Sequence, residues 1–265
     1  MRKAIVALLT FLPLVTQGQS AMNAMNGTWK IDLKQVNFSK KPDVMVLSGG
    51  MYECKTCVPP VKVKADGSDQ PVTGSPYLDT VAIEVVDDHT VKETDKKSGN
   101  VVATSTTTIS SDGNTLSFEF SDSSATNGGP PVTGSGTETR VAKGPAGSHA
   151  ISGSWRMANM SNLSDNGTGY TFSFKGNELT TTNPNGQAYT AKLDGSDAPV
   201  TGNPGLTSVS VKMISKDTLQ EIYKRDGKPV LVIKSTLSAD GKSLHVVSVD
   251  KLQNRTGEFT ATKQE

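Results

Sequence analysis

Two cysteines stand three residues apart in Cys54-Lys55-Thr56-Cys57, a spacing that suits disulfide exchange, a clipped turn or half of a four-ligand metal site. Exchange chemistry is favoured when the first cysteine opens a helix, whose dipole lowers the thiol pKa. Here Val58-Pro59-Pro60 follows and no helical pattern begins, so the pair reads as a disulfide that staples a hairpin. Covalent haem attachment needs a histidine where Val58 stands. The three histidines do not pair at ligand spacing: His89 follows Asp87 and Asp88 in a turn, His149 lies in a Gly/Pro segment and His245 in a strand pattern. Two Asp-Gly-Ser-Asp stretches, at Asp66 and at Asp194, lack the alternating acidic ligands and final glutamate of a calcium loop and read as turns. No Gly-x-Ser-x-Gly motif or Ser/His/Asp set is present, and a glycosidase-like carboxylate pair leaves no signature in sequence alone. The chain is therefore expected not to be an enzyme and to carry no cofactor or metal.

These residues belong to a chain that is written twice. The stretch DGSDQPVTGSPYLDTVAIEVV from Asp66 returns as DGSDAPVTGNPGLTSVSVKMI from Asp194, and about 22 of 57 positions are identical without a gap between 66–122 and 194–250. Gly27-Thr28-Trp29-Lys30 likewise returns as Gly153-Ser154-Trp155-Arg156. Duplication of a unit of roughly 120 residues is the simplest cause. Inside each copy the apolar residues alternate, as in Val81, Ile83 and Val85 or Val209, Val211 and Met213, and a period of two with β-branched residues means half-buried strands. Turn chemistry separates them at matched places, among them Asp112-Gly113 and Asp240-Gly241. Eight or nine strands per copy are expected, with no helix beyond the N-terminal segment. Short antiparallel strands in such numbers leave no exposed edge if the sheet closes. The expected fold class is all-β, two tandem antiparallel β-barrels, with β-sandwiches as the alternative.

The sequence divides into a signal peptide over 1–20, a first barrel repeat over 26–143, a linker over 144–149 and a second repeat over 150–265. Arg2 and Lys3 precede an apolar run from Ala4 to Val15, and Gly18 and Ser20 supply small residues for cleavage after Ser20. A periplasmic or secreted location follows, and no stretch has the roughly 20 apolar residues of a transmembrane helix. Net charge is +1, and loss of Arg2 and Lys3 takes it to −1, so no electrostatic case exists for nucleic acid as a partner. The copies differ most at the Cys54–Cys57 hairpin, which falls opposite Thr182-Asn183-Pro184-Asn185-Gly186. They differ also at 121–136, which is rich in Ser and Gly and reads as a long mobile loop before the last strand of the first copy.

The Gly-x-Trp at the head of each copy resembles the opening of lipocalin-like (calycin) barrels. That resemblance implies that Trp29 and Trp155 are structural residues packed across a barrel end, beneath a basic residue from the last strand, for which Arg140 and Lys263 are the candidates. The Gly-Thr-Trp-Lys start, Asp-Gly-x-Asp-x-Pro-Val-Thr-Gly turn and later Ser-x-Asp-Gly hairpin are together similar to a largely uncharacterised family of secreted bacterial all-β domains, which brings no activity with it. Calycin barrels commonly bind small apolar molecules. The expected function is thus a non-catalytic extracytoplasmic binding protein carrying a small apolar or amphipathic ligand. The alternative is a structural or interaction protein whose partner is another protein of the cell envelope.

Overall fold

The computed structural model describes residues 17–265, with side chains from Ala21 onward. Most of the expected signal peptide therefore lies outside the described residues, while helix α1 (Gln17–Met25) runs across the expected cleavage point. After it come β1 (Gly27–Asn37), β2 (Asp43–Ser48), β3 (Met51–Cys54), β4 (Val61–Lys64), β5 (Gln70–Pro71), β6 (Thr80–Val85), β7 (Thr90–Lys97), β8 (Asn100–Ile109), β9 (Thr115–Asp122) and β10 (Val132–Lys143). The second copy supplies β11 (Gly153–Ser161), the one-turn α2 (Asp165–Thr168), β12 (Gly169–Lys175), β13 (Glu178–Thr182), β14 (Ala188–Lys192), β15 (Asp194–Thr201), β16 (Ser208–Met213), β17 (Thr218–Arg225), β18 (Lys228–Leu237), β19 (Ser243–Asp250) and β20 (Arg255–Lys263). All the pairings are antiparallel, and they form two ten-stranded sheets, one a closed barrel and one nearly closed.

Sheet membership is out of phase with the sequence repeat by one strand. The nearly closed barrel contains β2 to β10 followed by β11, the opening strand of the second copy. The closed barrel contains β12 to β20, and β1 from the far N-terminus fills the gap between β20 and β12. One barrel is thus contiguous over 43–161, whereas the other joins 169–263 to 27–37. The units read from the repeat as 26–143 and 150–265 exchange their first strands. β10 and β11 are sequence neighbours, and consecutive strands usually lie side by side. Once β11 is taken, β1 fits the vacant slot because it carries the same pattern.

Each exchanged strand brings its tryptophan into the other copy's core. Trp155 is fully buried with Leu47, Ile83, Ile109 and Leu116, and Trp29 is fully buried with Leu179, Val209, Leu219 and Leu244. The Arg140 guanidinium lies 3.9 Å from the Trp155 ring centre and donates to the carbonyls of Ala150, Ser152 and Gly113. The Lys263 ammonium lies 5.5 Å from the Trp29 ring centre and donates to the Ala24 carbonyl. Beneath each ring a plug residue completes the end, since Trp155 donates to the Ile151 carbonyl at 2.8 Å and Trp29 to the Met25 carbonyl at 2.9 Å. The basic partners expected for the tryptophans are present, each from the last strand of the opposite copy.

Closure fails in the first sheet between β4 and β5. In the closed barrel this join rests on the pairs Ala188↔Thr201 and Tyr189↔Val200. Pro60 precedes Val61 where Ala188 precedes Tyr189, and a proline has no N–H to donate to a ladder. The expected long loop over 121–136 is shorter than the sequence suggested, because β9 extends to Asp122 and β10 starts at Val132. Its glycines mislead: Gly134 and Gly136 pair with Phe120 and Phe118, whose rings lie over the bare backbone and would meet a Cβ at 2.8 Å and 2.5 Å.

The two barrels touch through specific contacts. Arg255 of β20 makes a forked pair with Asp43 at 2.6 and 3.1 Å, and Gln253 donates to the Thr56 carbonyl inside the disulfide hairpin at 2.8 Å. Elsewhere Tyr77 donates to Asn203 at 3.1 Å and its hydroxyl occupies the space where a Cβ on Gly205 would stand. Tyr77 and Gly205 are equivalent positions of the repeat, so a large residue on one side is accommodated by none on the other.

Candidate functional site

The residues singled out by chemistry in the sequence lie apart from one another, in turns and on strands. Cys54 and Cys57 form a disulfide at the turn between β3 and β4, the counterpart of the turn after β13. Cys54 is buried in the core of the nearly closed barrel. Asp87 accepts backbone bonds from His89 and Thr90 at 2.8 and 2.7 Å, His149 lies 2.7 Å from the Asp87 carbonyl, and His245 is exposed on β19. In the Asp-Gly-Ser-Asp turns, Asp66 and Asp194 each accept from the backbone and hydroxyl of the serine two residues on, and Asp69 and Asp197 pair with Lys96 and Lys224. Among the described residues no three His, Cys, Asp or Glu side chains converge on a metal position.

The closed barrel holds a cavity of about 180 Å³, walled by Ile31, Phe172, Ile233, Val246 and Phe259 on its apolar side. Its polar side presents Tyr170, Thr181, Asn183, Glu221, Tyr223 and Ser235. Partly exposed Asn166, Gly167 and Asn185 line its mouth. That mouth touches the first barrel, since Asn166 donates to the carbonyls of Pro130 and Pro131 in the loop between β9 and β10.

Glu221 is the centre of this interior. It is 3% exposed, and its Oε1 accepts from the hydroxyls of Tyr189 at 2.6 Å and Tyr223 at 2.7 Å. Burial pushes its carboxyl above the usual range, and the two phenol donors only partly offset that. Burial beside Glu221 raises the phenols of Tyr170, Tyr189 and Tyr223, so they remain neutral donors. Tyr170 Oη, Thr181 Oγ1 and Asn183 Oδ1 are buried without a hydrogen-bond partner, and all three residues line the cavity. A buried polar atom left unpaired costs about 1–3 kcal/mol, so three such atoms lining one cavity stand out among the described residues.

Glu93 occupies the same repeat position in the nearly closed barrel. Burial and the adjacent Asp95 hold its carboxyl well above the carboxylate range, and burial raises the Asp95 carboxyl as well. Glu138, 7% exposed on β10, is pushed up to about 7 by burial and by Asp43, with Arg255 acting in the opposite sense. Tyr52 faces all four acids, and its phenol is raised by burial and their charges.

A scan against protein-family models gives no match, and a search of curated proteins gives none. Sequence reasoning missed Glu93 and Glu221, the same residue type at the same position of the repeat. The signal was parity: Val91-x-Glu93 and Leu219-x-Glu221 put an acid on the inward-facing positions of a strand in both copies.

Proposed function

We propose that the protein is a non-catalytic binding protein of the periplasm or the extracellular space, and that the closed barrel carries a small ligand in the Glu221 cavity. The observation that supports this most is the set of unpaired Tyr170, Thr181 and Asn183 atoms on the wall of a formed cavity. A space of about 180 Å³ corresponds to roughly six water molecules, which favours a ligand of few atoms over the larger apolar molecules that wide calycin barrels accept. The mixed lining favours an amphipathic molecule, its apolar part against Phe172, Ile233 and Phe259 and its polar part toward Glu221. Native mass spectrometry of the protein purified from its own compartment tests the reading. A reproducible small adduct lost in a Thr181→Phe variant, which fills the cavity, is the expected result. A wild-type protein that carries no adduct and takes up none from a small-metabolite mixture refutes it.

A further inference from the structure

We propose that the ligand of the closed barrel is a small organic cation, an alkylated ammonium ion bearing a hydroxyl, with Glu221 as its counter-ion. This rests on the reading of the cavity as a ligand site and adds the chemical class.

The argument starts from what surrounds Glu221. Its interior neighbours are neutral: Tyr189 on β14, Tyr223 on its own strand, Tyr170 on β12, and the apolar or hydroxyl residues Ile233, Ser235, Val246, Ile31 and Phe259 from the other strands. Among the described residues no lysine, arginine or histidine lines the cavity. With no cation beside it among the described residues, the charge of this buried carboxyl is costly, and a proton or a cation from outside removes that cost. Both phenols donate to the same oxygen, Oε1, which fixes that oxygen as an acceptor and leaves Oε2 to carry the proton when the cavity is empty. Entry of an ammonium ion then expels that proton to solvent, so charge in the barrel is unchanged by the exchange.

The rest of the lining suits the same guest. Tyr170, Phe172, Tyr223 and Phe259 supply aromatic rings, the surface that attracts alkylated ammonium ions most strongly. Asn183 Oδ1, unpaired and buried, can accept only from an N–H or O–H, and a hydroxyl on the guest provides one. A free metal ion would need several ligating side chains, and none converge among the described residues. The volume admits a guest of about five to eight non-hydrogen atoms once packing gaps are left.

Calorimetric titration of the full mature chain with choline and with its neutral carbon isostere, 3,3-dimethylbutan-1-ol, tests the proposal. Choline is expected to bind about 100-fold more tightly than the alcohol, to release a proton, and to tighten as pH rises toward the pKa of Glu221. Glu221→Gln keeps an acceptor for both tyrosines and is expected to bring choline down to the level of the alcohol; Phe259→Ala weakens choline binding with Glu221 intact and serves if the first variant does not fold. Equal binding of alcohol and choline, or choline binding unchanged in folded Glu221→Gln, overturns the cation while the cavity remains a ligand site. If neither probe binds, the cation proposal is overturned, and the native-mass experiment decides separately whether the cavity carries anything.

Discussion

The strand exchange predicts which half of the chain folds alone. A fragment of residues 38–161 contains every strand of the nearly closed barrel, including β11, whereas 26–143, the unit marked by the repeat, lacks β11 and the connection before it. In the first fragment β11 pairs with β10 from Ser135↔Ser161 to Lys143↔Gly153 and with β2 from Gly153↔Met45 to Trp155↔Asp43. It also buries Trp155 completely under Arg140. Losing a buried tryptophan alone costs about 3–5 kcal/mol, against a total stability of about 5–15 kcal/mol for a domain. Fragment 26–143 also leaves Arg140 without the carbonyls of Ala150 and Ser152. Urea unfolding followed by tryptophan fluorescence and circular dichroism is a clean assay, because each fragment has one tryptophan. Fragment 38–161 is expected to unfold cooperatively, and 26–143 to be at least about 3 kcal/mol less stable or to show no transition. Its own β1 restores the barrel only by turning back through 38–42 into the slot between β10 and β2. Equal stability of the two fragments, within about 1 kcal/mol, refutes the claim that the exchanged strand holds the fold.

Other consequences are as direct. Gly205→Val drives a side chain into Tyr77 and is expected to loosen the contact between the barrels, so that two unfolding transitions replace one in calorimetry while each barrel keeps its secondary structure. Glu138, protonated in the fold up to about pH 7 but only to about 4.5 when unfolded, makes the native state bind more protons between those values. Stability from this group is therefore full below about pH 4.5 and falls by up to about 1.4 kcal/mol per unit as pH rises to about 7, with the Glu93–Asp95 pair acting in the same direction. Glu138→Gln should flatten that slope in denaturation curves taken from pH 4 to 8, and an unchanged slope counts against the assignment. Replacing both Cys54 and Cys57 by serine opens a four-residue loop and should cost about 2 kcal/mol by loop entropy, read as a lower urea midpoint matched by the reduced wild type.

Alternation and turns carry most of the fold. Val81 and Ile83, Val209 and Val211, and Leu116 and Leu244 are buried as their parity requires, and the Asp-Gly turns fall between strands in both copies. These features are local: the period of two and the glycine at a positive φ act within a few residues, so they are readable along the chain. The disulfide was legible for the same reason, since residues three apart can meet only in a turn. Gly134 and Gly136 were misread because a glycine under an aromatic ring and a glycine in a loop look alike until the partner strand is known.

The repeat that the sequence announces defines what was duplicated, and it leaves open which copy of the first strand closes which barrel. Trp29 and Trp155 carry the same three-residue signature, so either could sit beneath Arg140 or Lys263, and only the assembled sheets assign them crosswise. The candidate site has the same origin. Glu221, Tyr170, Tyr189 and Tyr223 come from strands β17, β12 and β14, separated along the chain and joined only when the sheet curves shut. Local sequence determined strands, turns and the inward parity of each acid. Closure, burial and the lack of a neighbouring cation among the described residues, which together raise the Glu221 carboxyl, are properties of the barrel as a whole.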